Sequence, residues 1–134
     1  MVTIKKVNPK ALGPAVGYSH GVRHGNTLHI AGQIGGSPKG DGTWTVKDGF
    51  AAQFEKALEN VLEVVREEGG SPDAIVEMVV FVKDMDAYRK ARKEIGGSWK
   101  KVFGKHYPAI TMVEVTDLFE PGTLLEIRAV AALG

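Results

Sequence analysis

Hydrophobic positions recur along the chain at two different spacings. Between Asp48 and Glu68 they fall three and four residues apart, which predicts an amphipathic helix of about five or six turns. A Gly-Gly pair follows directly and provides a natural end for that helix. A second apolar stripe at helical spacing, from Tyr88 to Val102, predicts another helix.

Shorter apolar or alternating runs predict the strands. They cover Thr3–Val7, Tyr18–Arg23, Thr27–Ile34, Ile75–Val82, Pro108–Val115 and Leu124–Leu133. The order β-β-β-α-β-α-β-β predicts an α+β fold, with a single mixed sheet and two helices on one face of it. The glycine-rich stretch Gly35–Thr43 predicts a flexible surface loop between the strand-rich front and the remainder.

The two faces of the last predicted strand differ in a way that bears on assembly. One face is expected to meet the helices and carries Leu125, Ile127, Ala129 and Ala131. The other carries Leu124, Glu126, Arg128 and Val130, and we expect Ile75, Val79, Phe81 and Met112 to lie on it as well. No further helix is available to cover this half-apolar face. An apolar surface of that size is rarely left exposed on a monomer, so the pattern predicts a homo-oligomer, for which a closed ring of sheets is one arrangement.

Composition narrows the class of protein. The 134 residues fit one domain, 1–134, and the hydrophobic and charged fractions of 43% and 25% are those of a globular protein. The formal charge of +1 argues against a nucleic-acid partner. The absence of cysteine excludes a disulfide scaffold, a cysteine nucleophile and a thiolate metal site. No segment resembles a signal peptide or a membrane span, so we expect a cytoplasmic protein without membrane contact.

Glu126 is the first candidate for chemistry, because it interrupts an otherwise apolar strand. Burial disfavours the ionised form of a carboxyl group and raises its pKa, which suits a general acid or base. Arg128 shares its face, and Glu114 on the preceding predicted strand is a candidate for a second carboxylate there. The alternatives remain that Glu126 forms an ion pair with Arg128 or with a neighbouring subunit, and that Glu114 is solvated or contacts another subunit.

Other familiar catalytic patterns are missing from the sequence. The four histidines, His20, His24, His29 and His106, match no metal-ligand spacing, so we expect no metal site. No serine lies in a nucleophile elbow, and no glycine-rich loop opens a helix as a phosphate site would. Trp44 lies in the predicted loop region and is a candidate to cap a pocket or to join an interface.

Several segments, taken in order, resemble the YjgF/RidA family. They are Tyr18-Ser-His, Gly25-Asn-Thr-Leu-His-Ile-Ala-Gly-Gln-Ile-Gly, Gln53 with Ala57-Leu-Glu-Asn-Val-Leu, Phe103-Gly-Lys-His-Tyr-Pro-Ala, Val113-Glu-Val and Leu125-Glu-Ile-Arg-Ala-Val-Ala. The resemblance implies a chorismate-mutase-like fold and a homotrimer whose three sheets form a central barrel. It also implies clefts between subunits that hydrolyse reactive enamines and imines, such as 2-aminoacrylate, without a cofactor.

The resemblance also implies roles for particular residues. Glu126 matches the glutamate that positions or activates water, and Tyr18 and Gly32 match residues that line the pocket. Gln33 and Thr111 are expected to bind substrate beside them.

The chain departs from the family at Ile110, which stands where the family has an arginine that binds the substrate carboxylate. An aliphatic side chain cannot bind a carboxylate, so we expect an altered substrate range. Arg128 is a candidate replacement for the missing guanidinium. The alternative function is a non-catalytic trimer that binds a small metabolite or a protein. A ribonuclease activity has little support, since the charge is near neutral.

Overall fold

The computed structural model describes residues 2–134, which form an α+β fold. Its strands are β1 (Ile4–Val7), β2 (Gly21–His24), β3 (Thr27–Ile34), β4 (Gly36–Pro38), β5 (Trp44–Val46), β6 (Ile75–Val82), β7 (Ala109–Glu114) and β8 (Leu125–Ala132). Its helices are α1 (Phe50–Glu67), α2 (Met85–Lys90) and α3 (Arg92–Phe103). Each predicted strand has a counterpart, shifted by no more than three residues at either end.

Six of these strands form one mixed sheet, in the order β1-β2-β3-β8-β6-β7. Neighbouring strands are antiparallel except β6 and β7, which are parallel and are connected through α2 and α3. Within residues 2–134, the sheet therefore ends at one side on β7, which pairs only with β6. The predicted mixed sheet is confirmed.

The core lies between the sheet and α1. The apolar stripe of the helix, including Leu58, Val61 and Leu62, is fully buried. It packs against β3 and β8. On β8, the helix contacts the four residues that were predicted to lie on the helix-facing side of the sheet. Each is at most 1% exposed: Leu125, Ile127, Ala129 and Ala131. Each fully buried Val, Leu or Ile side chain contributes roughly 1.5–3 kcal/mol of hydrophobic stabilisation.

The prediction of a single second helix is wrong. The segment folds as α2 and α3, separated at Ala91, whose φ of −93° and ψ of 6° leave the helical region. The carboxylate of Asp84 begins α2 by accepting a hydrogen bond of 2.9 Å from the Asp86 amide. The Gly-Gly pair at 96 and 97 lies within α3 and does not break it.

The predicted loop at Gly35–Thr43 is also wrong in part, because β4 begins inside it. β4 and β5 pair as a two-stranded antiparallel hairpin, separate from the main sheet. The glycines serve this hairpin: a Cβ on Gly36 would stand 2.7 Å from the Thr45 carbonyl oxygen, and Gly40 and Gly42 adopt positive φ in the connection.

The sheet face opposite the helices, the open face, carries Val22, Val79, Phe81 and Val130 together with Glu126 and Arg128. Among residues 2–134, no helix covers it. Ile75 was predicted to lie on this face but is fully buried against the helices, because a register shift between Ile75 and Glu77 interrupts the alternation of β6.

Two further residues lie on the opposite face from the one expected. Met112 pairs with Val80 and packs against the core. Glu114 pairs with Val82, and its carboxylate accepts a hydrogen bond of 2.9 Å from the Met85 amide at the start of α2. Glu114 therefore forms no acid–base pair with Glu126.

None of the helices within residues 2–134 has the length and apolar character needed to cross a membrane. The cytoplasmic location stays a prediction.

Candidate functional site

A cleft of about 670 Å³ opens where β3 ends and β8 begins, a volume within the usual range for small-molecule sites. The segment before β2 forms one wall, the β4–β5 hairpin a second, and the loop before β8 a third. Its lining consists of Pro14, Val16, Tyr18, Ala31, Gly32, Gln33, Ile34, Asp41, Gly42, Thr43, Trp44, Phe119, Glu120 and Glu126.

A β-bulge shapes the floor of the cleft. β3 pairs with β8 at Ile30–Ala129 and next at Gln33–Ile127, so β3 has one residue more than β8 in this stretch. The bulge brings Gly32 directly under the side chain of Glu126. A Cβ on residue 32 would overlap the Glu126 carboxylate. Glycine is therefore the residue type that lets the carboxylate lie flat against the backbone of β3.

Glu126 is an unpaired carboxylate. Among residues 2–134 its oxygens accept no hydrogen bond and form no ion pair, so the pairing with Arg128 considered above does not occur within the chain. Burial raises the pKa of Glu126, and burial together with the charge of Glu126 raises the pKa of Tyr18. Both side chains line the cleft, and Glu126 is suited to exchange a proton with a bound molecule.

An aromatic wall supports Tyr18. The ring of His20 lies edge-on to Tyr18 at 5.3 Å between centroids, and edge-on to Trp44 at 6.4 Å. His20 is buried, which lowers its pKa, and its Nε2 donates a hydrogen bond of 3.2 Å to the Gly13 carbonyl. That bond assigns the neutral Nε2–H tautomer. The wall joins the segment before β2 to the hairpin.

Two buried side-chain amides of α1 hold the hairpin and the loop before β8 in place by hydrogen bonds. Asn60 donates hydrogen bonds from Nδ2 to the carbonyl oxygens of Ile34 and Gly36, at 3.0 and 2.8 Å, where β3 turns into β4. Gln53 donates to the Gly122 carbonyl at 3.1 Å and accepts from the Leu124 amide at 2.8 Å. These bonds place the hairpin and the loop before β8 on either side of Glu126.

These positioning roles were not predicted, although the sequence carries a signal for them. Gln53 and Asn60 are seven residues apart on the helix and lie within its apolar stripe, where a polar side chain needs buried partners.

Residues 8–133 match the model of the family described as Endoribonuclease L-PSP. The chain belongs to this family, the YjgF/RidA family. This confirms the resemblance found in the sequence segments.

Relatives in this family cover nearly the whole chain. A RutC family protein from Pyrococcus horikoshii is 35% identical over 124 residues, spanning 92% of this chain and 90% of the relative. The 2-iminobutanoate/2-iminopropanoate deaminase of Escherichia coli K12 is 34% identical over 126 residues, with the same coverage of 92% and 90%.

Solved structures of the family share the fold. The YjgF gene product of E. coli superposes with a TM-score of 0.82 at 32% identity, covering 96% of this chain and 98% of that one. The predicted YjgF-like fold is therefore confirmed, while the trimeric barrel stays a prediction.

Four of the seven predicted site residues of this YjgF/RidA protein come together in the cleft. They are Tyr18, Gly32, Gln33 and Glu126. Gln33 is buried and donates a hydrogen bond from Nε2 to the Ala31 carbonyl at 3.2 Å. The catalytic and binding roles of these residues stay predictions.

The other three predicted residues lie outside the cleft. Ile110 and Thr111 are on the edge strand β7, two strands away from β8, with Ile110 beside Met78 and Thr111 beside Val79. Arg128 shares the open face with Glu126, as predicted, but its side chain is exposed and does not line the cleft.

The remaining histidine pair is also on the open face. The Nε2 atoms of His24 and His29 are 3.0 Å apart, across the hairpin of β2 and β3. Within residues 2–134, no group of three or more potential metal-ligating side chains occurs.

Proposed function

We propose that this YjgF/RidA protein hydrolyses the C=N bond of small imine metabolites, including those that form from enamines such as 2-aminoacrylate. The observation that carries the proposal is the unpaired, half-buried carboxylate of Glu126 over Gly32 in an open cleft. The family membership supports it, because an E. coli relative at 34% identity is named an imine deaminase.

The proposed reaction needs only water and one proton-transfer group. An enamine first tautomerises to its imine. Water then adds to the imine carbon while Glu126 accepts a proton from it and returns that proton to the nitrogen, which gives a carbinolamine. The C–N bond then breaks as the hydroxyl oxygen forms the C=O bond and passes its proton, through Glu126, to the departing ammonia. A positioned carboxylate contributes on the order of a hundred- to ten-thousand-fold. Its raised pKa lets Glu126 both accept and return the proton.

We further propose that the active unit is a homotrimer. Two features of the fold support it. The open face presents an apolar surface around Val79 and Phe81 that no helix of residues 2–134 covers. Ile110 and Thr111 lie two strands away from Glu126 in one chain, so a site containing all of them requires β7 of a neighbouring copy.

The test is imine turnover by the purified protein. An amino-acid oxidase generates 2-imino acids in situ, and their decay is followed with and without the protein. We expect acceleration over spontaneous hydrolysis by the native chain and a loss of at least about a hundredfold in kcat/KM for Glu126→Gln.

A matched control keeps that result specific. Glu94 is an exposed carboxylate on α3, outside the cleft, so Glu94→Gln should keep native turnover. Equal turnover by Glu126→Gln and the native protein would show that Glu126 is structural.

A second candidate function is a non-catalytic trimer that binds a metabolite in the same cleft. It is favoured by Ile110, since the chain lacks the arginine that the family resemblance leads us to expect there. Ligand-induced thermal stabilisation without turnover of any imine would support this candidate over the enzyme.

A further inference from the structure

The charges that line the cleft are all of one sign. Asp41, Glu120 and Glu126 contribute carboxylates, and no lysine or arginine of residues 2–134 belongs to the lining. Hydrogen bonds from Thr43 lower the pKa of Asp41, so this group is ionised at neutral pH. The cleft therefore disfavours an anionic ligand and favours a neutral or cationic ligand.

The positively charged residues nearest in sequence to these three carboxylates do not offset the negative charge of the cleft. Arg128 is two residues along β8, but its exposed side chain is on the open face beside Val79. Lys39 is in the hairpin near Asp41 and does not line the cleft. The edge strand β7 carries no lysine or arginine, so β7 of a neighbouring copy would add none to the lining.

The remaining lining is largely apolar and aromatic. Val16 and Tyr18 come from the segment before β2, and Trp44 comes from the hairpin. Phe119, in the loop before β8, is 98% exposed. A large aromatic side chain left so exposed next to a cleft can pack on an apolar substituent, and aromatic faces also attract cations.

We propose that the cleft prefers imines without a carboxylate group over imino acids such as the one formed from 2-aminoacrylate. It takes them as the neutral imine or the protonated iminium ion, with an apolar or aromatic substituent. Such substrates derive from amines rather than from amino acids. The inference rests on the proposed hydrolysis and names its substrate class. The reaction R–CH=NH₂⁺ + H₂O → R–CHO + NH₄⁺ balances without a redox partner, because water supplies the oxygen and nitrogen leaves with the bonding electrons.

The test compares two imines that differ by a carboxylate. A flavin-dependent amine oxidase acting on 2-phenylethylamine releases 2-phenylethanimine, and an amino-acid oxidase acting on phenylalanine releases 2-imino-3-phenylpropanoate. For each, the rate with the protein is divided by the spontaneous rate measured in the same buffer. We expect the carboxylate-free imine to be accelerated at least about tenfold more than the imino acid.

The possible outcomes separate this inference from the proposed function. Greater acceleration of the imino acid, lost in Arg128→Ala, would overturn the substrate class and leave imine hydrolysis standing. Equal acceleration of both imines would also overturn it. Acceleration of neither, with folded protein confirmed by circular dichroism, would overturn the proposed hydrolysis and with it this inference.

Variants that neutralise carboxylates of the cleft provide a second, independent test of the substrate class. Asp41→Asn with Glu120→Gln removes two of the three carboxylates and keeps the catalytic candidate Glu126. We expect this double variant to raise kcat/KM for the imino acid at least threefold at low ionic strength, and Glu94→Gln to leave it unchanged. No change in the double variant would show that the charge of the cleft does not select the substrate.

Discussion

Gly32 and Glu126 are matched across the β3–β8 bulge: the carboxylate of Glu126 occupies the space that a Cβ on residue 32 would need. The relationship explains why a flexible, unpaired side chain has a defined place in the cleft. A substitution at residue 32 can therefore displace the Glu126 carboxylate without altering the carboxylate itself.

The first prediction follows from this contact. Gly32→Ala should displace the Glu126 carboxylate and lower kcat/KM for imine hydrolysis by about a hundredfold, because a displacement of about 1 Å costs that much when positioning matters. Both turnover and the melting temperature of the variant are measured, so that a loss of activity is distinguished from a loss of folding.

Gly97→Ala is the matched control for that variant. Residue 97 lies in α3 with open space around a Cβ, so the substitution should leave activity unchanged. It should also stabilise the helix by up to about 1 kcal/mol. A folded Gly32→Ala protein with native turnover would contradict the positioning role of glycine.

The second prediction concerns pH. Burial raises the pKa of Glu126 above its ordinary value of 4.5, and the ionised form must accept the proton from water. The rate should therefore rise with pH through the raised pKa, with a midpoint above 4.5 in the profile of kcat/KM. Glu126→Gln should lack this rise, and a midpoint at or below the ordinary value would contradict the assignment.

The same shift has a consequence for stability with a definite sign. A carboxyl group with a raised pKa in the folded state binds its proton more tightly there than in the unfolded chain. Its contribution to stability is complete below the ordinary pKa and is lost as the pH rises through the raised one. At neutral pH Glu126→Gln should thus be at least as stable as the native protein, by urea denaturation.

Much of the fold could be predicted because its signals are local. The spacing of apolar residues in α1 and the alternation in β8 both follow from burial on one face, and the structure confirms both. The break at Ala91 and the register shift after Ile75 depend instead on how the elements pack, and no local pattern marks them. The β4–β5 hairpin was missed because its glycines also suit a loop.

The candidate site was predictable in part for a related reason. Tyr18, Gly32 and Glu126 belong to strands or segments that pair within one chain, so their motifs meet in the cleft. Ile110 and Thr111 lie on β7, and the order of strands in the sheet separates them from β8. A motif gives a residue's position along the chain, whereas the sheet order determines its neighbours.

The third prediction tests the support beneath the cleft. Asn60→Ala removes two hydrogen bonds and leaves the carbonyl oxygens of Ile34 and Gly36 without their donor. Each lost bond costs about 1 kcal/mol, so we expect a loss of about 2–3 kcal/mol in the free energy of unfolding. Glu67→Ala, an exposed position on the same helix, should change it by less than about 0.5 kcal/mol. A loss no larger than that of the control would show that water replaces the amide.

The last prediction addresses the proposed assembly. The native chain of 14.4 kDa should sediment at about three times that mass. Val79 lies on the open face beside Arg128 and Thr111, so Val79→Lys places a second positive charge on the apolar surface that the trimer would bury. We expect the variant to sediment as a monomer and to lose imine turnover, because Glu126 would no longer meet β7 of a neighbouring copy. Glu94→Lys adds a positive charge on exposed α3 and should keep both mass and turnover. A native protein that sediments as an active monomer would contradict the trimer, and an active Val79→Lys monomer would show that one chain contains the whole site.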